Sequence, residues 1–230
     1  MLSFMLSAYF NGRLAHIDTL NGNGQEEKGD HISSYIYTAY SGGDDLLMIG
    51  PWSELLELSS LIREDFRRFT GGKLTISAGI YYAPTKKFPI YQAAIEAGEA
   101  VNMSKRDGKN KITIFGQAVK WEDYKRVKEI TDLLVDLITD SERKRTPRSL
   151  LNILRSIYQE KELKLKKKIN MERIWRFYYA IRTIWSQLKN EEIQKEKLEK
   201  LVNLVMTDYE VYSNLNIATR LADYLTRKET

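Results

Sequence analysis

Hydrophobic positions in the first half of the chain switch between two periods, and the switches lay out its elements. Leu2, Met5, Leu6, Tyr9 and Phe10 recur at helical spacing, which predicts an amphipathic helix over residues 2–14. The polar run NGNGQEEKGD at 21–30 then reads as a loop. Residues 35–40 and 46–49 are short apolar runs flanking a glycine-aspartate stretch, the arrangement of a β-hairpin. Pro51 opens a helix whose face carries Trp52, Leu55, Leu56, Ser59, Ile62, Phe66 and Phe69, and Gly71-Gly72 ends it. LTISAGIYY at 74–82 is the next strand. Pro89 opens another helix with Ile90, Ala93, Ala94, Ala97 and Val101 on one face, small enough for close packing on a sheet. KITIF at 111–115 returns as a strand.

From Trp121 onward the strand signal stops. Helical segments are predicted over 122–138, 148–163, 171–188, 192–206 and 209–226. Tyr124, Val127, Ile130, Leu134 and Leu137 form the core stripe of the first. Trp175, Tyr178, Tyr179 and Trp185 are expected to do the same in the third, because aromatic stripes at helical spacing are core more often than binding surface. The order of elements predicts an α+β domain over 1–118, with helices on one face of a mixed sheet, and a second, all-α domain over 119–230.

A hydrophobic content of 43% in 230 residues supports real cores in both. The absence of cysteine excludes disulfides and thiolate metal sites, and His16 and His31 cannot make a histidine cluster, so any metal is oxygen-bound. The opening MLSFMLSAYF lacks the basic flank and cleavage site of a signal peptide, and no apolar stretch is long enough to span a membrane. A cytoplasmic protein is expected. The net charge of +5 concentrates at ERKRTPR, 142–148, and KELKLKKK, 161–168. Both read first as solvated helix ends and second as patches for a nucleic-acid backbone.

The candidate chemistry lies in YTAYSGGDDLLMIG, residues 37–50. Gly42 and Gly43 suit a tight turn that needs positive φ. Asp44 and Asp45 ask for more, since strands are depleted in aspartate and adjacent carboxylates repel. A hard cation such as magnesium, bound through oxygen, relieves that repulsion. The pair therefore reads as a bare polar turn or as a metal site.

Three features coincide: the SGGDD hairpin, a helix opened by Pro51-Trp52 directly after its second strand, and EAGEAVNMSKRDGKNKITIFG at 96–116. The last is similar to the final helix and strand of GGDEF-type nucleotide cyclases. Together with the helical tail, nearly the whole chain resembles the C-terminal half of the large subunit of type III CRISPR-Cas effector complexes, particularly the Csm type. The resemblance implies a ferredoxin-like, GGDEF-type palm domain lacking its first strand, followed by a helical bundle that packs against small helical subunits. It implies a nucleotidyltransferase that joins ATP into cyclic oligoadenylates through 3′-5′ linkages once target RNA is bound. Carried over by position, Asp44 and Asp45 become the catalytic carboxylates that hold Mg2+ or Mn2+. Gly42 and Gly43 let the backbone approach the triphosphate, Ser41 contacts phosphate or caps the turn, and Lys105 and Lys109 hold terminal phosphates. The implied partners are the N-terminal half of the large subunit, the small subunits, and guide and target RNA.

The chain departs from that pattern in one respect. The family places another metal-binding aspartate on a strand before the first helix, along with a first palm domain and a nuclease domain with a His-Asp motif, and none of these precedes Leu2 here. The expectation is a fragment or one half of a split subunit, with no DNase activity and little product on its own, whose sheet another polypeptide completes. Asp18 and Asp30 are the nearest upstream aspartates. Two other readings compete: a non-catalytic scaffold of the same RNA-guided complex, against which the intact GGDD argues, and a diguanylate cyclase. The cyclase motif continues with glutamate and phenylalanine where this chain has Asp45 and Leu46.

Overall fold

A computed structural model describes residues 2–13, 35–85, 87–139, 146–157, 171–188 and 191–227. Asp18, Asp30 and the basic run 161–168 lie outside them. The chain forms two compact units, Met1–Trp121 and Glu122–Thr230.

The first unit begins with α1 (Leu2–Asn11), followed by the hairpin β1 (Tyr37–Gly42) and β2 (Asp45–Ile49). Then come α2 (Trp52–Phe69), β3 (Ala78–Ile80), α3 (Ile90–Arg106), β4 (Lys111–Ile114) and β5 (Gln117–Lys120). This is the mixed α+β architecture the pattern predicts. Its sheet, however, is two sheets among the described residues: β1 pairs with β2 antiparallel, while β3 is parallel to β4 and β4 antiparallel to β5. Among the described residues β2 and β3 are each bonded on one edge, as are β1 and β5.

One core holds α1, α2 and the hairpin together. Tyr9, Phe10, Leu58, Ile62 and Phe66 are buried at its centre, with Leu46 and Met48 of β2 packed against them. Tyr9 meets Phe10 and Phe66 edge-on at 5.2 and 5.1 Å. Leu74 and Ile76 join the same core. This explains why the strand predicted over 74–82 shrinks to Ala78–Ile80: the residues before it leave the ladder to fill the core, and the Ile76 carbonyl accepts the Trp121 indole N–H at 2.9 Å.

The small-residue face of α3 packs closely on the sheet near its C-terminal end, where the predicted Val101 lies, and only its first position stays outside. Ile90 is exposed. Ala100 and Val101 ride over Gly79, where even a Cβ would meet the Val101 nitrogen at 2.5 Å. Ser104, fully buried, donates to the Ala78 carbonyl at 2.9 Å and stands 2.7 Å from the Thr113 hydroxyl, tying α3 to β3 and β4.

Strand β5 was not legible in the sequence. Its turn is Phe115-Gly116, both left-handed at φ 52° and 75°. A bulky residue in that conformation is an outlier, held here by the stacking of Phe115 on Tyr82 at 4.3 Å.

The second unit, described by itself, is all helical: α4 (Trp121–Thr139, shared at its first residue with the first unit), α5 (Ser149–Ile157), α6 (Met171–Gln187), α7 (Glu192–Thr207) and α8 (Tyr209–Thr226). The stripe Tyr124, Val127, Ile130, Leu134 and Leu137 is buried as expected. On α6 the expectation fails for three of its four aromatics, Trp185 being half-buried. Trp175, Tyr178 and Tyr179 are exposed, and the buried stripe is Phe177, Ile181, Ile184 and Leu188. Both sets repeat at helical spacing, so periodicity alone does not choose between them. Polar groups set the helix ends: Asp208 caps α8, accepting from the Glu210 and Val211 amides, and pairs with Arg126 at 2.6 Å.

Candidate functional site

The candidate site grows from the β1–β2 register. Gly42 pairs directly with Asp45, leaving Gly43 and Asp44 as a two-residue loop. Gly43 takes φ 64°, which a two-residue hairpin with glycine at its first central position requires. Gly42 has a different reason to be glycine: the place its Cβ would occupy lies 2.5 Å from the Tyr40 hydroxyl. So of the two glycines one serves the turn and the other makes room for a side chain.

Asp44 at the loop tip and Asp45 at the start of β2 are both exposed. Among the described residues neither carboxylate has a hydrogen-bond or ion-pair partner. Ser41, in contrast, is engaged. Its hydroxyl lies 3.1 Å from the Phe10 carbonyl and 3.0 Å from the Asn11 side-chain oxygen, so it latches the start of the turn to the C-terminal end of α1. That end is itself well mounted. Tyr9 donates to the Ile62 carbonyl at 3.2 Å, and Arg13 makes a fork of two 2.7 Å bonds to Asp65 of α2. The guanidinium of Arg13 holds the Asp65 carboxyl below the usual carboxylate range despite its burial, and burial pushes the Tyr9 phenol well up. The turn is therefore tied through α1 to α2.

Lys105 and Lys109 form a second group. Lys105 is exposed on the last turn of α3, and Lys109 lies in the loop beyond, left-handed at φ 60° with its amide bonded to the Ser104 carbonyl at 3.0 Å. Neighbouring cations are spent locally, Arg106 on Glu99 at 3.9 Å and Lys111 on Asp107 at 2.6 Å. Lys105 and Lys109 pair with nothing among the described residues. A mobile ammonium with open donors is the form in which lysine meets phosphate. The fold carries these two on the three-stranded sheet and its helix, and the carboxylates on the hairpin.

The donor set suits one class of metal. Two unpartnered carboxylates, in a chain without cysteine, offer oxygen alone, which matches Mg2+ or Mn2+ held by one or two carboxylates with the remaining positions left to water and phosphate. No group of three His, Cys, Asp or Glu side chains that would form a complete protein cage occurs among the described residues. Of the basic run at 142–148, residues 142–145 lie outside the described residues. Its described end, Arg148, is bonded to Asp223 of α8 at 2.5 Å, beside Arg155 and Arg227. No helix among the described residues is long and apolar enough to cross a membrane.

A GGDD hairpin backed by helices, followed by a helix packed on a parallel strand pair, defines a palm domain. Residues 1–113 match the Cas10/Cmr2 second palm domain, and this part of the chain belongs to that family. It is 38% identical over 117 residues to the single-strand-specific deoxyribonuclease Cas10/Csm1 (subtype III-A) of Enterococcus italicus, covering 51% of this chain and 14% of that one. It is 29% identical over 168 residues to the protein of the same name from Streptococcus thermophilus, covering 70% of this chain and 21% of that one. Among solved structures, Csm1 of T. onnurineus shares the fold at a TM-score of 0.64 and 22% identity, over 94% of this chain and 32% of that chain. Similar folds occur in a Csm1-Csm4 cassette with one ATP (TM-score 0.59, 22% identity, 94% of this chain and 32% of that chain). They occur also in the cassette with cA3 (TM-score 0.60, 19% identity, 96% of this chain and 32% of that chain). This chain therefore spans about a third or less of the proteins it matches.

Proposed function

We propose that this chain is the catalytic palm and helical module of a type III-A CRISPR effector, and that with target RNA bound it converts ATP into cyclic oligoadenylates. The observation that carries the reading is the Asp44-Asp45 pair, displayed without partners among the described residues on a hairpin turn that is tied to α1 and through it to α2. Family relatives whose fold this chain shares were crystallised with ATP and with cA3, which supports a nucleotide as substrate.

In this reading Asp44 and Asp45 hold Mg2+ or Mn2+. When bound, the metal lowers the pKa of an attacking ribose 3′-hydroxyl and offsets charge on the transferring phosphate. The chain's own residues do the placing. Gly43, with open space beside it, lets the triphosphate come close to the backbone. Lys105 and Lys109 supply free ammonium groups to the terminal phosphates. Ser41 acts through the turn rather than on the nucleotide, because its hydroxyl is committed to α1.

The single-sided bonding of β2 and β3 supports completion of the sheet by a further strand, as an N-terminal half of the large subunit would provide. The exposed Trp175, Tyr178 and Tyr179 on α6 support docking of the helical unit onto other subunits. Labelled-ATP conversion with magnesium or manganese tests the proposal. The chain alone, the chain with the rest of the large subunit in a target-RNA-activated complex, and that complex carrying Asp44→Ala, Asp45→Ala are compared. Product is expected only from the intact complex. No product from any of them favours the scaffold, and unchanged product from the double variant refutes the assignment of the carboxylates.

A further inference from the structure

The two faces of the hairpin are set by an irregularity in its ladder. Tyr37 pairs with Ile49 and Thr38 with Met48, but the next pair is Tyr40 with Leu47, so Ala39 is an extra residue, a β-bulge. In regular alternation Tyr40 would share a face with Thr38 and Met48. Met48 and Leu46 pack into the core formed with α1 and α2, so that face points inward. The bulge turns Tyr40 to the opposite face, which also carries Gly42 and Asp45, and the side chain is 56% exposed there. Bulges recur beside active sites because they re-aim a side chain in this way.

The re-aimed ring does not simply point at solvent. Its hydroxyl lies 2.5 Å, and its ring carbon bearing that hydroxyl 2.8 Å, from where a Gly42 Cβ would be. Gly42 is directly across the ladder from Asp45. Facing residues in an antiparallel pair hold their Cβ atoms ~4.5–5.5 Å apart, so the phenol reaches the immediate surroundings of the Asp45 carboxylate. The hydroxyl has no hydrogen-bond partner among the described residues. A core-facing tyrosine would have cost nothing in ladder regularity. The bulge and the missing side chain at position 42 instead both serve to lay a free donor beside a pair of acidic residues.

We propose that Tyr40 is a further nucleotide-contacting residue of this site, its hydroxyl donating to the polyphosphate of the nucleotide held at the Asp44-Asp45 turn. The inference rests on the nucleotidyltransferase reading above and adds a contact to it. It also gives Gly42 a role: any side chain there displaces the phenol.

The test measures Mn2+-ATP binding by equilibrium dialysis in the assembled complex, together with KM and kcat for ATP and the thermal midpoint. Tyr40→Phe keeps the ring and removes only the donor. It is expected to weaken ATP binding and raise KM roughly tenfold, as loss of a hydrogen bond to a charged group does, with kcat changed less than about twofold and Tm unmoved. Gly42→Ala is expected to weaken binding similarly, and the double variant no further, since both remove one contact. Tyr37→Phe, on the same face but away from the turn, serves as the control and leaves binding unchanged. If Tyr40→Phe binds ATP like the unaltered complex while Asp44→Ala, Asp45→Ala does not, the role of Tyr40 is wrong and the site stands. If the double aspartate variant also binds normally, or the unaltered complex binds no ATP, the site itself is wrong and the inference falls with it. Equal losses from Tyr37→Phe and Tyr40→Phe overturn it as well, by assigning the effect to the strand.

Discussion

Gly79 and Gly98 offer a matched test of how α3 is held against the sheet. An alanine at position 79 would bring its Cβ to 2.5 Å from the Val101 nitrogen, 2.7 Å from the Ala100 carbonyl carbon and 2.7 Å from the Ala100 Cβ. Ordinary contact begins at 3.4 Å, so α3 must retreat from β3 by about 0.9 Å. Two of the three obstructing atoms are backbone, and no rotamer change relieves them. The retreat also stretches the bonds of Ser104 to Ala78 and Thr113, both now 2.9 Å or shorter. Overpacking of this kind costs ~1–3 kcal/mol, and rigid neighbours put this case at the upper end. For a unit of this size that is a fall of about 10 °C in Tm. At Gly98, on the exposed side of the same helix, nothing lies within 4 Å of an added Cβ. Alanine there removes the helix penalty of glycine and is expected to stabilise by ~0.5–1 kcal/mol. Urea midpoints at unchanged m-value measure both. A neutral Gly79→Ala, or a Gly98→Ala as damaging as Gly79→Ala, refutes the close packing of α3 on β3.

Two further outcomes follow from the ion pairs of Asp65 and Asp223, whose carboxylates are largely covered while their arginine partners reach solvent. Because Arg13 depresses the pKa of Asp65 in the folded state, the stabilisation is fully present above the unfolded value of ~4 and is lost as pH falls through the lower folded value. Asp65→Asn is expected to cost about 1–2 kcal/mol at neutral pH and to make the acid limb of a Tm-versus-pH curve shallower, and an unchanged acid limb rules the pair out as its source. In the helical unit, burial pushes the Asp223 carboxyl up but Arg148, Arg227 and Arg155 together bring it below its ordinary value. Asp223→Ala leaves three guanidiniums facing one another and is expected to lower the urea midpoint well beyond Asp136→Ala. The latter breaks only the exposed 3.4 Å pair with Lys197, worth ~0–1 kcal/mol. Equal midpoints for the two variants refute that ranking.

Much of this protein is determined by local rules. The amphipathic spacing of Tyr124 to Leu137, the proline starts at Pro51 and Pro89, and the glycine-aspartate turn between two apolar runs each specify an element from nearest neighbours alone, and the elements form there. The SGGDD stretch and the run 96–116 carried the family for the same reason, since a turn between two strands and a helix running into a strand each leave a short contiguous mark. Tertiary structure decided what has no such mark. Whether Trp175 or Phe177 faces the core depends on which side of α6 meets its neighbours, and both sides are apolar. Strand β5 needed Tyr82 to hold Phe115 left-handed, a contact 33 residues away in sequence. The role of Gly42 needed the bulge at Ala39, because a one-residue slip in register exchanges the faces of a strand and moves Tyr40 from the core to the side of Asp45.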